Sequence, residues 1–193
     1  AAIMMGDESY AGARSYFRLE AVVQDLTGYP HFIPTHQGRA AERILFKPVC
    51  RPGHVVPSNA HFDTTRALLE ANVAEALDLV IAEGLQPSTL HPFKGNIDLA
   101  RVEALLRSRG DQVPFGMLTI TNNSGGGQPV SLENARAYAA LLHRFGKPLI
   151  LDACRFAENA MFVKLREPGW QGAEIKAIAR AFFEADDGCT MSA

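Results

Sequence analysis

A chain of 193 residues, 47% hydrophobic and 21% charged, can form one core of ordinary size or most of a larger domain. Nineteen Lys and Arg against 21 Asp and Glu leave a net charge of −2, so no basic field recruits nucleic acid or an anionic membrane surface. Cys50, Cys154 and Cys189 lie far apart with no CxxC pair, which argues against a disulfide framework or a zinc site and for a reducing compartment. No apolar run is long enough to span a bilayer, and "AAIMMGDESY" lacks the basic start and apolar core of a signal peptide. The expectation is a soluble, cytoplasmic globular protein.

In chain order, "SYFRLEAVVQDLTGY" has apolar residues at helical spacing and ends at a glycine. "HFIPTHQG" reads as a short extended run and "RAAERILF" as a helix. "GHVVPSN" predicts a strand, "TTRALLEANV" a helix, and "ALDLVIAE" contains another strand. "DLARVEALLRSRG" is an amphipathic helix closed by Gly110. "FGMLTITNN" is a strand, "SLENARAYAALLHRFG" a helix with Ser131 as its cap, and "KPLILDAC" an almost wholly apolar strand. The chain closes with an acidic helix tail running into "DGCTMSA". There is no internal repeat and no low-complexity linker. Apolar strands separated by amphipathic helices predict an α/β protein with a mainly parallel sheet, whose ligands collect beyond the carboxyl ends of the strands.

Polar residues after those strand ends are therefore the candidates. In "PTHQGRAAE", Gly38 lets backbone approach a ligand, the free amides of a helix start favour an anion, and Arg39 adds charge. Gln37, Gly38 and Arg39 thus read as a phosphate cradle, or more plainly as a tight turn with an exposed arginine. In "TITNNSGGGQPVS", Asn122 and Asn123 precede three glycines that either wrap a ligand or simply connect two elements. No lysine follows those glycines, so the loop is not a P-loop. In "KPLILDACRFAEN", Asp152 closes an apolar strand, and an ionised carboxylate there needs a cationic partner. That partner is either Arg155, three residues on, or a ligand atom such as the protonated pyridine nitrogen of pyridoxal phosphate, which the contact keeps able to accept electrons. Phe62, before Asp63 in "NAHFDTTR", is a core residue or a platform for a flat ring. His36, His61 and His91 show no ligand spacing, and Cys154 has no base partner and reads as packing.

Seven stretches, "MMGDESYAG", "PTHQGRAAE", "FDTT", "FKGNIDL", "NNSGGGQPVSL", "DACRFAENA" and "DGCTMSA", occur in the order seen in the tryptophanase and tyrosine phenol-lyase family. The sequence resembles these β-eliminating lyases over essentially its whole length. The resemblance implies fold-type I, aspartate-aminotransferase-like architecture, with residues 1–193 forming part of the large cofactor-binding domain. Within it, residues 1–20 are an N-terminal interface segment, and the small C-terminal domain lies outside the sequence. It further implies that Gln37, Gly38, Arg39 and Ser192 hold the phosphate of pyridoxal 5'-phosphate, that Phe62 stacks on its ring, and that Asp152 pairs with the ring nitrogen. Asn123 and Arg155 would lie near the ring oxygen and the substrate. Tyr10 resembles a mobile tyrosine that acts as an acid toward the leaving group, and Glu8 a carboxylate that binds a monovalent cation, usually potassium, at a subunit interface. The implied assembly is a homotetramer with shared active sites.

In the family, a "TMSA"-like stretch leads directly to a lysine that carries the cofactor covalently. Lys47, Lys94, Lys147, Lys164 and Lys176 do not occupy that position, so the resemblance implies a working polypeptide that continues beyond Ala193. Asp63 in "FDTT" and Ser124 in "NNSGGG" match tryptophanases, where phenol-lyases carry Thr and Leu. The resulting expectation is cleavage of tryptophan to indole, pyruvate and ammonia. The other readings are tyrosine cleavage to phenol, a non-catalytic cofactor-binding member of the fold, and an unrelated nucleotide-binding α/β module.

Overall fold

The structure is a computed structural model that describes residues 12–192 together with Met4 and Asp7. Helix α1 (Arg14–Thr27) ends where Gly28 turns left-handed at φ +81° and donates its N–H to the Gln24 carbonyl at 2.8 Å. Helix α2 (Gly38–Val49) precedes strand β1 (Val55–Ser58), helix α3 (Asp63–Ala71) and strand β2 (Glu75–Asp78). Helix α4 (Leu99–Arg109), strand β3 (Gly116–Thr119), helix α5 (Leu132–Arg144) and strand β4 (Leu149–Asp152) repeat the alternation. Helices α6 (Phe156–Arg166) and α7 (Ile175–Phe183) then lead to strand β5 (Gly188–Thr190).

All strand pairs are parallel. β1 pairs with β2, and β3, β4 and β5 form a second group in that order. The strands obey a period of two with both faces buried. Val55, Leu118, Leu149 and Leu151 pack with α4, α5, α6 and α7 in the larger cluster. Val56 and Met117 pack with Phe46 of α2 and Leu69 of α3 in the smaller one, and Ile150 joins them. Helices therefore cover both faces of a parallel sheet, as the apolar runs predict.

β1 and β3 meet through side chains rather than a ladder. Pro57 has no N–H to give, and its carbonyl instead accepts a bond from the Tyr138 hydroxyl of α5 at 3.1 Å. That hydroxyl passes over Gly116, where any Cβ would collide with it. One residue past the end of β1, the buried Asn59 amide takes over. Its Oδ1 accepts the Thr119 N–H at 2.9 Å, and its Nδ2 donates to the carbonyls of Thr119 (2.8 Å) and Gly95 (2.7 Å). Asn59 is thus the clasp that makes one surface of two strand groups.

Gly110 follows α4 as its cap, as expected; at φ −55° it stays right-handed and opens a 3-10 turn, Gly110–Gln112. Two expectations need adjusting. β3 stops at Thr119, so Asn122 and Asn123 fall in the turn beyond it rather than on the strand. The strand read in "ALDLVIAE" ends at Asp78, and Val80 instead forms an antiparallel bridge with Ile97. The Ser131 cap forms as expected, its hydroxyl accepting the Asn134 N–H at 3.1 Å. Among the described residues, no helix is long and apolar enough to cross a membrane.

Replacing Asn59 with Leu removes four bonds and leaves a buried N–H, a hydroxyl and two carbonyls without that partner. The expected loss is about 3 kcal/mol of unfolding free energy in urea titrations. A loss below about 1 kcal/mol would show that β1 and β3 are joined in another way.

Candidate functional site

The carboxyl ends of β1, β3, β4 and β5 open on one edge of the sheet, and the chain places a candidate residue after each. Beyond β1 comes Phe62, half-buried at the start of α3. Beyond β3 comes the turn Asn123–Gly125, beyond β4 Arg155, and beyond β5 Ser192. Asp152 is the last residue of β4.

α2 enters this edge from one side. No side chain caps its amino end, which leaves first-turn amides open to an anion. A Cβ on Gly38 would lie 3.0 Å from the Ser192 Cβ and 3.3 Å from its backbone nitrogen. Glycine is therefore what allows β5 and α2 to meet, and the contact brings Gln37, Gly38, Arg39 and Ser192 together. Gln37 and Arg39 are exposed, and a cavity of about 330 Å³ opens beside them between α2 and α3.

Asp152 is 7% exposed. Burial pushes its carboxyl above the usual carboxylate range, against the pull of Cys154 bonds and the nearby Arg155 charge. No ion pair joins it to a cationic side chain among the described residues. Arg155 is committed elsewhere. Its Nη1 donates to the Thr121 carbonyl at 2.9 Å, and the Thr121 hydroxyl donates to the Arg155 carbonyl at 3.1 Å. This reciprocal pair holds Thr121 at φ +47°, a region that disfavours β-branched residues and stores roughly 1–3 kcal/mol. The loop after β3 is braced a second time by Asn122, whose Nδ2 donates to the Ala60 carbonyl at 2.6 Å while its Oδ1 accepts the Ser124 N–H. Asn122 is thus a brace, and the exposed Asn123 is the one left open to a ligand.

Asp63 begins α3, exposed, and its carboxylate accepts the Thr64 N–H at 2.5 Å. Cys154 is exposed as a residue, but partial burial of its thiol and the adjacent Asp152 push it up to about 11, so it is a thiol at neutral pH. Its Sγ accepts the Ser192 N–H at 3.4 Å, a second tie between the β4 and β5 loops. Tyr10 and Glu8 lie outside the described residues.

Three features escaped the sequence reading. Glu42 of α2 is 6% exposed and accepts the Thr65 hydroxyl of α3 at 2.5 Å. Burial raises its carboxyl to about 7, helped by Asp152 and opposed by the Thr65 bond and Arg39. Its signal was present: Glu42 stands four residues before Phe46, on the buried face of α2. His61, which shows no ligand spacing in the sequence, is buried with Nδ1 2.7 Å from Asp78 Oδ1, but its Nε2 has no partner among the described residues. Thr119 and Thr190, aligned on either side of Asp152, also carry buried hydroxyls without partners. Among the described residues, no group of three or more His, Cys, Asp or Glu is placed to hold a metal ion.

The residues fit pyridoxal phosphate. An anion cradle and a half-buried aromatic lie near a buried acid that has no cation of its own, and orphaned polar atoms surround them.

The pattern of the β-eliminating lyase family matches residues 1–193. The chain belongs to that family. It is 60% identical to a tryptophanase of Rhodobacter capsulatus, covering all of this chain and 42% of that one. Identity is also 60% with a tryptophanase of Salinibacter ruber (100% and 41% covered). It falls to 44% with a tyrosine phenol-lyase of Symbiobacterium thermophilum (99% and 42% covered). The chain thus spans about two-fifths of the length of the curated relatives it matches. Among solved structures, the fold is similar to a pyridoxal-phosphate-bound C–S lyase of Staphylococcus hominis. The TM-score is 0.59 at 13% identity, covering 79% of this chain and 38% of that one. It is also similar to a chain of the SepCysS–SepCysE complex, with TM-score 0.58, 18% identity and 79% and 40% covered.

A carboxyl near 7 in the folded state and near 4.5 when unfolded favours the fold while neutral. Glu42 therefore contributes stability that is complete below pH ~4.5 and lost as pH rises through ~7. Relative to Glu42→Gln, the wild type should lose up to about 3 kcal/mol between pH 4.5 and 8, seen as a widening gap in melting temperature. A gap independent of pH would mean that Glu42 is ionised throughout.

Proposed function

We propose that the full-length protein carrying this sequence is a pyridoxal-phosphate-dependent lyase that cleaves tryptophan by β-elimination to indole, pyruvate and ammonia. The observation that carries the reading is Asp152: a buried carboxyl at a strand end, above the usual range and without an ion-pair partner among the described residues. Such a group is costly unless a cation arrives from outside the chain, and a protonated ring nitrogen is that cation. Greater identity to tryptophanases (60%) than to tyrosine phenol-lyase (44%) favours tryptophan.

In this reading residues 1–193 contribute to the large cofactor-binding domain, with 1–20 at a subunit interface. Gln37, Gly38, Arg39 and Ser192 would hold the phosphate on the open amino end of α2. Phe62 would stack on the ring, and Asp152 would keep its nitrogen protonated. When bound, the cofactor supplies a sink for the electrons left on the substrate α-carbon after its proton departs. Asn123 and Arg155 would orient the ring oxygen and the substrate, with Arg155 held in place by its bonds to Thr121. Asp63 would accept a hydrogen bond from the indole N–H and stabilise positive charge on the ring as it is protonated. Tyr10 would deliver that proton as a general acid. A monovalent cation at Glu8, potassium for instance, and a homotetramer that shares its active sites rest on the resemblance alone and enter no step.

The test is product analysis of the full-length protein with both amino acids. Indole from tryptophan should exceed phenol from tyrosine in kcat/KM, and Asp63→Thr should lower the tryptophan value about 10- to 100-fold, the worth of one hydrogen bond to a charged group. Phenol formation outpacing indole formation would assign the enzyme to tyrosine instead. Release of neither product would overturn the elimination itself.

A further inference from the structure

Asp152 does not stand alone on its strand end. Parallel register aligns it with Thr119 of β3 on one side and with Thr190 of β5 on the other. Aligned residues of neighbouring parallel strands present their side chains on the same face, with strands roughly 4.8 Å apart. That face is the one covered by α2 and α3, because Met117 and Ile150, two residues earlier on β3 and β4, pack with Phe46 and Leu69. All three residues are nearly dry, at 5%, 7% and 7% exposed for Thr119, Asp152 and Thr190. Both threonine hydroxyls lack any hydrogen-bond partner among the described residues. An orphaned buried hydroxyl is destabilising, and two of them bracketing one carboxyl call for a common cause.

We infer that Thr119 and Thr190 are positioning residues that donate their hydroxyl hydrogens to Asp152 from either side, holding it ionised and aimed at the ring nitrogen of the cofactor. The inference rests on the function proposed above. Each hydroxyl sits on the residue directly beside Asp152, so a change of χ1 rotamer is the movement that would turn it toward the carboxylate. The surroundings show why such help is required. Glu42 and Arg39 face the site from α2, Cys154 and Arg155 follow β4, and Cys189 precedes Thr190 on β5. Two acids, Glu42 and Asp152, therefore share a dry space in which both are not readily charged at once. Glu42 receives one hydroxyl bond, from Thr65. Asp152 would receive two, which directs the negative charge to it and leaves Glu42 neutral. No proton is transferred by the threonines; they bias where the charge resides.

The experiment compares wild type, Thr119→Val, Thr190→Val and the matching Ser variants in the full-length protein. Equilibrium dialysis measures the affinity of the cofactor-free protein for two probes: pyridoxal phosphate, and its deaza analogue in which C–H replaces the ring nitrogen. Each Val variant should bind pyridoxal phosphate about 10-fold more weakly, as expected when one bond to a charged group is lost. Its affinity for the deaza analogue should be unchanged, and Ser should restore wild-type binding. Cofactor-free Val variants should melt at or above the wild type, since an unpartnered hydroxyl has been replaced by an isosteric methyl; if Val does not fold, Thr→Ala serves in its place. Val variants that bind both probes as the wild type does, while the wild type prefers pyridoxal phosphate, would overturn the inference and leave the role of Asp152 standing. A wild type that binds the deaza analogue as tightly as pyridoxal phosphate would overturn both.

Discussion

The constraint on which the rest depends is a carboxyl group buried at the end of a parallel strand with no ion-pair partner among the described residues. Asp152 is brought there by β4, whose apolar residues commit both faces to packing and leave only the strand end for polar chemistry. Burial pushes such an acid above the usual carboxylate range and so disfavours its charged form. The surrounding chain supplies hydroxyls and open amides but no ion-pair partner among the described residues. A ligand that carries both a cationic ring atom and an anionic tail resolves this imbalance, and the rest of the edge is arranged to admit one.

That arrangement is held by side chains rather than by the ladder. Asn59 joins β1 to β3 where Pro57 leaves a gap, so the segment after β1 that leads to Phe62 at the start of α3 is tied to β3. Asn122 ties the β3 loop to Ala60, and Thr121 with Arg155 ties it to the β4 loop at the expense of a strained backbone. Gly38 allows Ser192 to approach α2. The Asn59, Asn122 and Thr121–Arg155 braces are buried or half-buried, and all of them lie along the carboxyl edge. Strain and polar burial gather where the ligand would sit, as expected when a site rather than stability governs the choice of residue.

Much of this was legible in the sequence. Alternation of apolar runs and amphipathic stretches predicts the parallel α/β fold up to β4, and Asp152, Gly38 and Phe62 stand out because each breaks its local pattern at an element boundary. Beyond Cys154 the sequence reading offers only the acidic helix tail before "DGCTMSA": α6 has apolar residues around much of its circumference and gives no clean period, whereas α7 is short but strongly amphipathic, so its pattern was available. Pairing was also hidden. Thr119 and Thr190 are unremarkable in sequence, and only register sets them beside Asp152. Arg155 illustrates the opposite error. Its spacing suggests an ion pair with Asp152, but the guanidinium bonds the Thr121 carbonyl instead. Glu42 was readable in principle, as a charge on the apolar stripe of α2 beyond its first turn.

The central claim is that Asp152 keeps a ring nitrogen protonated. Solid-state nitrogen-15 NMR of the full-length protein loaded with pyridoxal phosphate labelled at that nitrogen tests it most directly. The wild type should show the resonance of a protonated pyridinium, and Asp152→Asn that of an unprotonated pyridine. The same unprotonated resonance in both proteins would contradict the account.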